Sequence, residues 1–404
     1  MFEMIKLAYR NLNRNRRRSI LSALAVSLGL ALLLLIAAVL QGEIQGSLKS
    51  AIELESGHLQ VRAASYVQGK SSLKWGDLVV NPDQVAAEIA KTPQVTAASP
   101  RLYASAILTS GKHSTGVQLV GIDPLSAVNA PYQEGVVAGS FLTPDDQSGI
   151  LIGQPLADKL NVKVGDSLDL EANTSNGDVA DQTFTIRGLY LTHTPTIDQS
   201  LVFLPLAKAQ ALTQTQNHAS TVVILLKNQD QAQAVAVSIQ GSGYQVETWQ
   251  KMNQVILDTE QLANGYMVII YLIVLAVTAT VIVNTLIMAV FERTREIGIL
   301  AAIGMKGGRI MALFLMEACL LAIAGIVVGL VVGWLICLYF AKVGFFIGNI
   351  GTTGFLLGDR IYALLTPHDT IELTIVALVV TLVASIYPAV LAARLEPIDA
   401  LHGK

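Results

Sequence analysis

The sequence predicts a membrane protein with four helical spans and a large α+β domain between the first and the second. Three observations predict it. Of the 404 residues, 52% are hydrophobic and only 14% are charged, against roughly 25% charged in soluble domains. The apolar residues gather in four runs, 20–40, 266–290, 310–340 and 371–391, each longer than the ~18 residues of a candidate span. The interval from 41 to 262 has ordinary polarity and is long enough for a domain with its own core.

Taken in order, residues 1–18 read as an amphipathic helix on the membrane surface. Phe2, Ile5, Tyr9 and Leu12 share one face, and Lys6, Arg10 and Arg14 lie away from it. Arg14, Arg16, Arg17 and Arg18 precede the first span, 19–41, and positive residues stay inside, so the N-terminus is expected in the cytosol. That run is longer than the roughly 7–15 apolar residues of a signal peptide and is read as uncleaved. The domain at 42–264 is then outside. A second span (265–291) returns the chain to the cytosol, a third (310–341) leaves it, and a fourth (371–393) brings the tail 394–404 back in. The loop 342–370 is outside and the connector 292–309 inside.

Within the domain, strand-like stretches are expected at 58–61, 104–109, 117–121, 168–171, 183–188, 201–204, 221–226 and 244–247. Helices are expected at 83–91, 154–160 and 229–239, the first opened by Asn81 as N-cap and Pro82 at the first helical position. Residues 81–122 with 219–248 read as one subdomain and 133–215 as an insertion. Residues 42–55 and 250–264 read as stalks prolonging the spans.

The connector carries the densest pattern, FERTREIGILAAIGMKGGRI at 291–310. Its charges keep it out of lipid, yet Ile297, Leu300, Ala301 and Gly304 recur at helical spacing. Pairs Glu292–Arg295 and Arg293–Glu296 are expected at i,i+3, with Gly304 and Gly307-Gly308 ending the helix. A docking helix and a solvated loop with local helix both fit. In the third span Gly325, Gly329 and Gly333 repeat every four residues, the spacing of a close helix–helix contact in lipid. Asn284, Glu317 and Glu372 are isolated polar residues in the spans; without a chain of such groups no proton relay is expected.

Nothing in the chain is equipped for catalysis. The match Ala64-x4-Gly69-Lys70-Ser71 to a phosphate loop lacks the following helix, because Trp75-Gly76 stands there. The six histidines show no metal spacing, and no G-x-S-x-G is present. Neither a cofactor nor a metal is expected, and any energy source must come from a partner.

Four stretches resemble a known family. ERTREIGILAAIGMKGGRI with FLMEACLLAIAGIVVG resembles the coupling helix and third span of the FtsX-like permeases of type VII ABC transporters. YPAVLAARLEPIDAL at 387–401 is similar to their closing signature. ILIGQPLADKLNVKVGDSLDL at 150–170 resembles the outer domain of MacB-like members. GHLQV at 57–61, with Tyr66, resembles the lipoprotein-releasing LolC/LolE branch. The resemblance implies a MacB-like periplasmic domain and a dimer of permease chains, identical or different. It implies a separate cytosolic ATPase dimer that binds ATP and Mg, and work on lipoproteins, lipids or amphiphiles in the inner membrane of a bacterium. No nucleic acid is implied. Carried over by position, Glu292, Arg293, Glu296, Gly298 and Gly304 belong to the ATPase contact, with Ile297, Leu300 and Ala301 as its apolar seat. A signalling subunit of the FtsX type, activating an outer hydrolase, is the alternative.

Overall fold

The computed structural model describes residues 2–14, 16–67, 71–240, 243–346 and 359–395. Gly69-Lys70 of the phosphate-loop match, part of the loop 342–370 and the end of the closing signature lie outside the described residues.

Among the described residues, four helices are long and apolar enough to cross a membrane. They belong to α2 (Arg16–Ser50), α3 (Gln254–Glu292), α5 (Gly307–Val343) and α6 (Pro367–Ala393). They are apolar on every side, as helices facing both neighbours and lipid must be. α1 (Phe2–Arg14) precedes them, and the short α4 (Thr294–Ala302) lies between α3 and α5. These form one compact unit, residues 1–43, 260–345 and 361–404. Its interior joins Leu30, Leu33 and Leu34 of α2 to Leu275 and Ile282 of α3, Ala318 and Ile326 of α5, and Leu373 of α6.

A helix of α-type ends at Ser50 and continues as one π-type turn, Ala51–Ser56. Gly57 follows with φ +60, and a Cβ there would fall 2.5 Å from a methyl of Val223. Glycine is therefore required, by backbone sign and by space.

The second unit is residues 44–259 with 346–360. Its ten-stranded sheet consists of β1 (Leu59–Ala63), β2 (Val95–Ser110), β3 (His113–Ile122), β4 (Val136–Gly139) and β5 (Gly149–Gly153). It continues with β6 (Ser167–Asn173), β7 (Val179–Tyr190), β8 (Leu201–Pro205), β9 (Thr221–Leu226) and β10 (Tyr244–Thr248). The order is β10-β1-β9-β2-β3-β8-β5-β7-β4, with β6 on β2 and β7. Each expected strand stretch overlaps one of these. The blocks 81–122 and 219–248 meet at β2 and β9, where Thr221 faces Arg101 across an antiparallel ladder. Residues 133–215 continue the same sheet, through the parallel pair β3–β8. The β6–β7 hairpin alternates buried Leu168, Leu170 and Ala172 with exposed neighbours, the period-2 signature of a half-buried ladder.

Two details differ from expectation. Asn81 does not cap with its side chain; it takes the left-handed conformation at φ 48, and Pro82 opens Pro82–Ile89. Gly307 and Gly308 begin α5 rather than ending α4.

Candidate functional site

The connector folds as a helix break followed by a short helix. Arg293 leaves helical geometry (φ −111, ψ 15), so α3 stops at Glu292 and α4 starts at Thr294. Gly304 closes α4 with φ +97, and the Met305 N–H donates to Leu300 O at 3.0 Å. That is a left-handed glycine termination satisfying an orphan carbonyl.

The break decides the pairing of the charges. Glu292 and Arg293 are not on one helix with Arg295 and Glu296, so neither expected i,i+3 pair forms. Instead Glu292 accepts from Arg18, and Glu296 takes both oxygens to Arg14 Nη2 at 2.7 Å. Arg293 turns inward, only 5% exposed, and meets Glu317 of α5 at 3.2 Å. Asn11 of α1 completes this cluster. Its Nδ2 donates to Glu317 Oε1 at 2.7 Å, and its carbonyl accepts from Arg293 Nη2 at 2.8 Å. One buried ion pair thus fastens α1, the α3–α4 break and α5 together. Removing one partner of such a pair costs about 3–5 kcal/mol. The exposed Arg14–Glu296 pair is worth about 0–1 kcal/mol.

Several expected contact residues are turned into the chain itself. Arg293, Ile297 and Gly298 are buried. Ile297 packs with Ala289, Val290, Ile310, Phe314 and Ala389, and Ala301 sits against the same cluster. The reason is geometric: Ile297 and Ala301 are one helical turn apart, and α4 lays that stripe on α5 and α6. Leu300 is half-buried. The side left open carries Arg295, Glu296, Ile299, Ala302 and Ile303, with Ile299 44% and Ile303 79% exposed. The large apolar side chains that α4 leaves open are therefore Ile299 and Ile303, while Ile297 is buried and Ala301 half-buried within the chain.

Sequence reasoning singled out Glu317 but missed its partners, Arg293 and Asn11. The available signals were an isolated carboxylate in an apolar run and an asparagine on the helix that faces it.

The glycine repeat faces α2. A Cβ at Gly325 would fall 2.7 Å from Val26 Cβ, one at Gly329 2.8 Å from Ser27 O, and one at Gly333 2.9 Å from a Leu34 methyl. The Gly329 clash is with backbone, so α2 and α5 approach as closely as their main chains permit.

The class follows from this: a multi-span membrane protein with a sheet domain between its first two spans and a short charged helix between the second and third. The MacB-like periplasmic core domain model matches residues 19–241, and the FtsX-like permease C-terminal model matches residues 268–397. The chain belongs to this family of MacB-like, FtsX-like ABC transporter permeases. It is 26% identical over 399 residues to the lipoprotein-releasing system transmembrane protein LolC of Xylella fastidiosa strain Temecula1, covering 95% of this chain and 93% of that protein. It is 25% identical over 330 residues to LolC of Neisseria meningitidis, covering 76% and 78%. It is 26% identical over 336 residues to LolE of Haemophilus influenzae, covering 77% and 78%.

Proposed function

We propose that this chain is the permease subunit of an ABC transporter that releases lipoproteins, or moves related lipids and amphiphiles, using ATP hydrolysed by a separate cytosolic ATPase dimer. The likeness to lipoprotein-releasing permeases over nearly the whole chain supports the substrate class. The observation that carries the coupling is the arrangement of α4. Its inner stripe is locked to α5 and α6, its Glu296 is paired to Arg14 of α1, and its open side presents Ile299 and Ile303 between charges.

In this reading α4 is the coupling helix. Ile299 and Ile303 seat in an apolar groove of the ATPase, which itself binds ATP and Mg. Glu296 holds α1 against α4 through Arg14, and Glu292 ties the end of α3 to the start of α2 through Arg18, so these helices move when the ATPase closes. Arg293 and Glu317 pass that movement to α5, and the domain between the first two spans is its output. The outward apolar side of α3, with Tyr266, Ile269, Leu272, Ile273 and Val277 all exposed, suits a second permease chain, identical or different, and lipid. The setting is a bacterial inner membrane with both termini in the cytosol.

Purification of the complex from its native host, followed by identification of its subunits and bound lipid or lipoprotein, tests this. Recovery of an ATPase together with triacylated or diacylated protein is expected. Recovery of an ATPase with an outer hydrolase and no acylated cargo would contradict release and leave a signalling subunit.

A further inference from the structure

The sheet domain contains a cavity of about 220 Å3 that the transport reading does not use. Two buried arginines line it, Arg62 of β1 and Arg101 of β2, 6% and 2% exposed. Arg62 has a carboxylate partner, and Arg101 has none within ion-pair distance among the described residues. Arg101 donates only to neutral oxygens: Leu54 O at 2.8 Å, Glu55 O at 3.5 Å, Val128 O at 3.3 Å and Asn129 Oδ1 at 3.0 Å. Its Nε has no hydrogen-bond partner, and among the described residues it has no ion-pair partner. A buried guanidinium is ordinarily paired.

Arg62 does have a carboxylate, Glu247 at 3.1 Å, but Glu247 is shared with Lys251 at 2.8 Å. Arg62 Nη2 donates to the Met252 sulfur at 3.3 Å. A thioether is a weak acceptor, a poor use for one of the strongest donors in the chain. The Arg62 guanidinium also lies 4.7 Å over the Tyr66 ring. Lys251 is itself exposed, and the rim residue Glu55 acts on Arg101 through its charge without an ion-pair contact.

The other walls are apolar, formed by Leu54, Val120 and Leu201. A cavity of about 150 Å3 accommodates a benzene ring, so this one has room for a short stem as well as a charged head. Planar guanidinium forks match carboxylate geometry.

We propose that this cavity is a binding site for a small organic carboxylate with a short apolar stem, its head held by Arg62 and Arg101 and its stem against Leu54, Val120 and Leu201. Tyr66 supplies a further donor, and burial raises its pKa, which keeps the phenol protonated. The site explains why the segment around GHLQ is built as it is. Gln60 donates to Glu55 O and Ser56 O and accepts from Arg62 Nε at 2.9 Å. One glutamine therefore aims the arginine and fixes the chain that forms the rim.

The test is calorimetric titration of the full chain in lipid nanodiscs with hexanoate, hexanol and inorganic phosphate. Saturable binding of one hexanoate per chain is expected, with hexanol and phosphate each weaker by roughly tenfold or more. Gln118→Glu adds a carboxylate to the cavity wall at a half-buried position and should weaken hexanoate by roughly tenfold. Tyr66→Phe keeps the ring on Arg62, removes the hydroxyl and should weaken it severalfold. Absence of saturable binding to the wild-type chain would mean that the cavity holds water only and would overturn the proposal. So would equal binding of phosphate or hexanol, or affinity unchanged in both variants.

Discussion

Arg293 and Arg101 are both buried arginines with an unpaired Nε, and they are held in opposite ways. Arg293 has a carboxylate, Glu317, and an asparagine that bridges the two. Arg101 has carbonyl oxygens and a cavity. The unpaired Nε is common to both, so it does not separate them; the counter-charge does. A buried cation with its own anion is a fastener. A buried cation held by neutral oxygens, beside open space, is in our proposal half of a binding site.

The largest effect should come from taking the anion away from Arg293. Glu317→Ala leaves a buried, unpaired charge and should cost about 3–5 kcal/mol, read as a fall in the thermal midpoint of the chain in detergent. Arg293→Met combined with Glu317→Leu removes both charges and should recover most of the loss. Failure of the double variant to recover would mean that the pair does more than fasten.

Next in size is the α2–α5 contact. Gly329→Leu forces the main chains of α2 and α5 apart and should lower the thermal midpoint of the chain, because overpacking costs about 1–3 kcal/mol or more. Gly329→Ala should also be measurably harmful, because its Cβ would meet Ser27 O at 2.8 Å. Wild-type stability of the alanine variant, measured by thermal unfolding, would remove the close approach.

A smaller effect concerns His58 in the sheet domain. Its Nδ1 accepts from the Leu226 N–H at 2.8 Å, and burial is the main cause lowering its pKa below the ordinary 6.5. The unfolded chain therefore binds this proton more readily than the folded one. The contribution of His58 is fully present above about pH 6.5 and is lost as pH falls below it. A His58→Gln variant should flatten that part of the stability–pH curve. The smallest effect belongs to the exposed pair: Arg14→Ala should change stability by about 0–1 kcal/mol, less in high salt.

The spans were legible because apolar runs of that length have one explanation. The strands were legible where alternation marks a half-buried ladder, as in Leu168–Leu170–Ala172. The single sheet that unites residues 133–215 with the flanking blocks was not legible, because the β3–β8 pairing is parallel and distant in sequence. The charged connector was legible as an ordered helix, but its facing was not. That depended on a break at Arg293, which no breaker residue announces. Ile297 and Ile299 look alike in sequence, and only the packing of α4 on α5 and α6 tells which is inside.

The facing of α4 also supplies the most direct test of the coupling reading. Ile303→Asp puts a charge on the open side of α4 without touching the Arg293–Glu317 cluster. The measurement is co-purification of the cytosolic ATPase with the variant, alongside the thermal midpoint of the variant alone. Loss of the ATPase at an unchanged midpoint is expected. Full retention of the ATPase with coupled ATP hydrolysis intact would contradict the assignment of Ile299 and Ile303 as its seat.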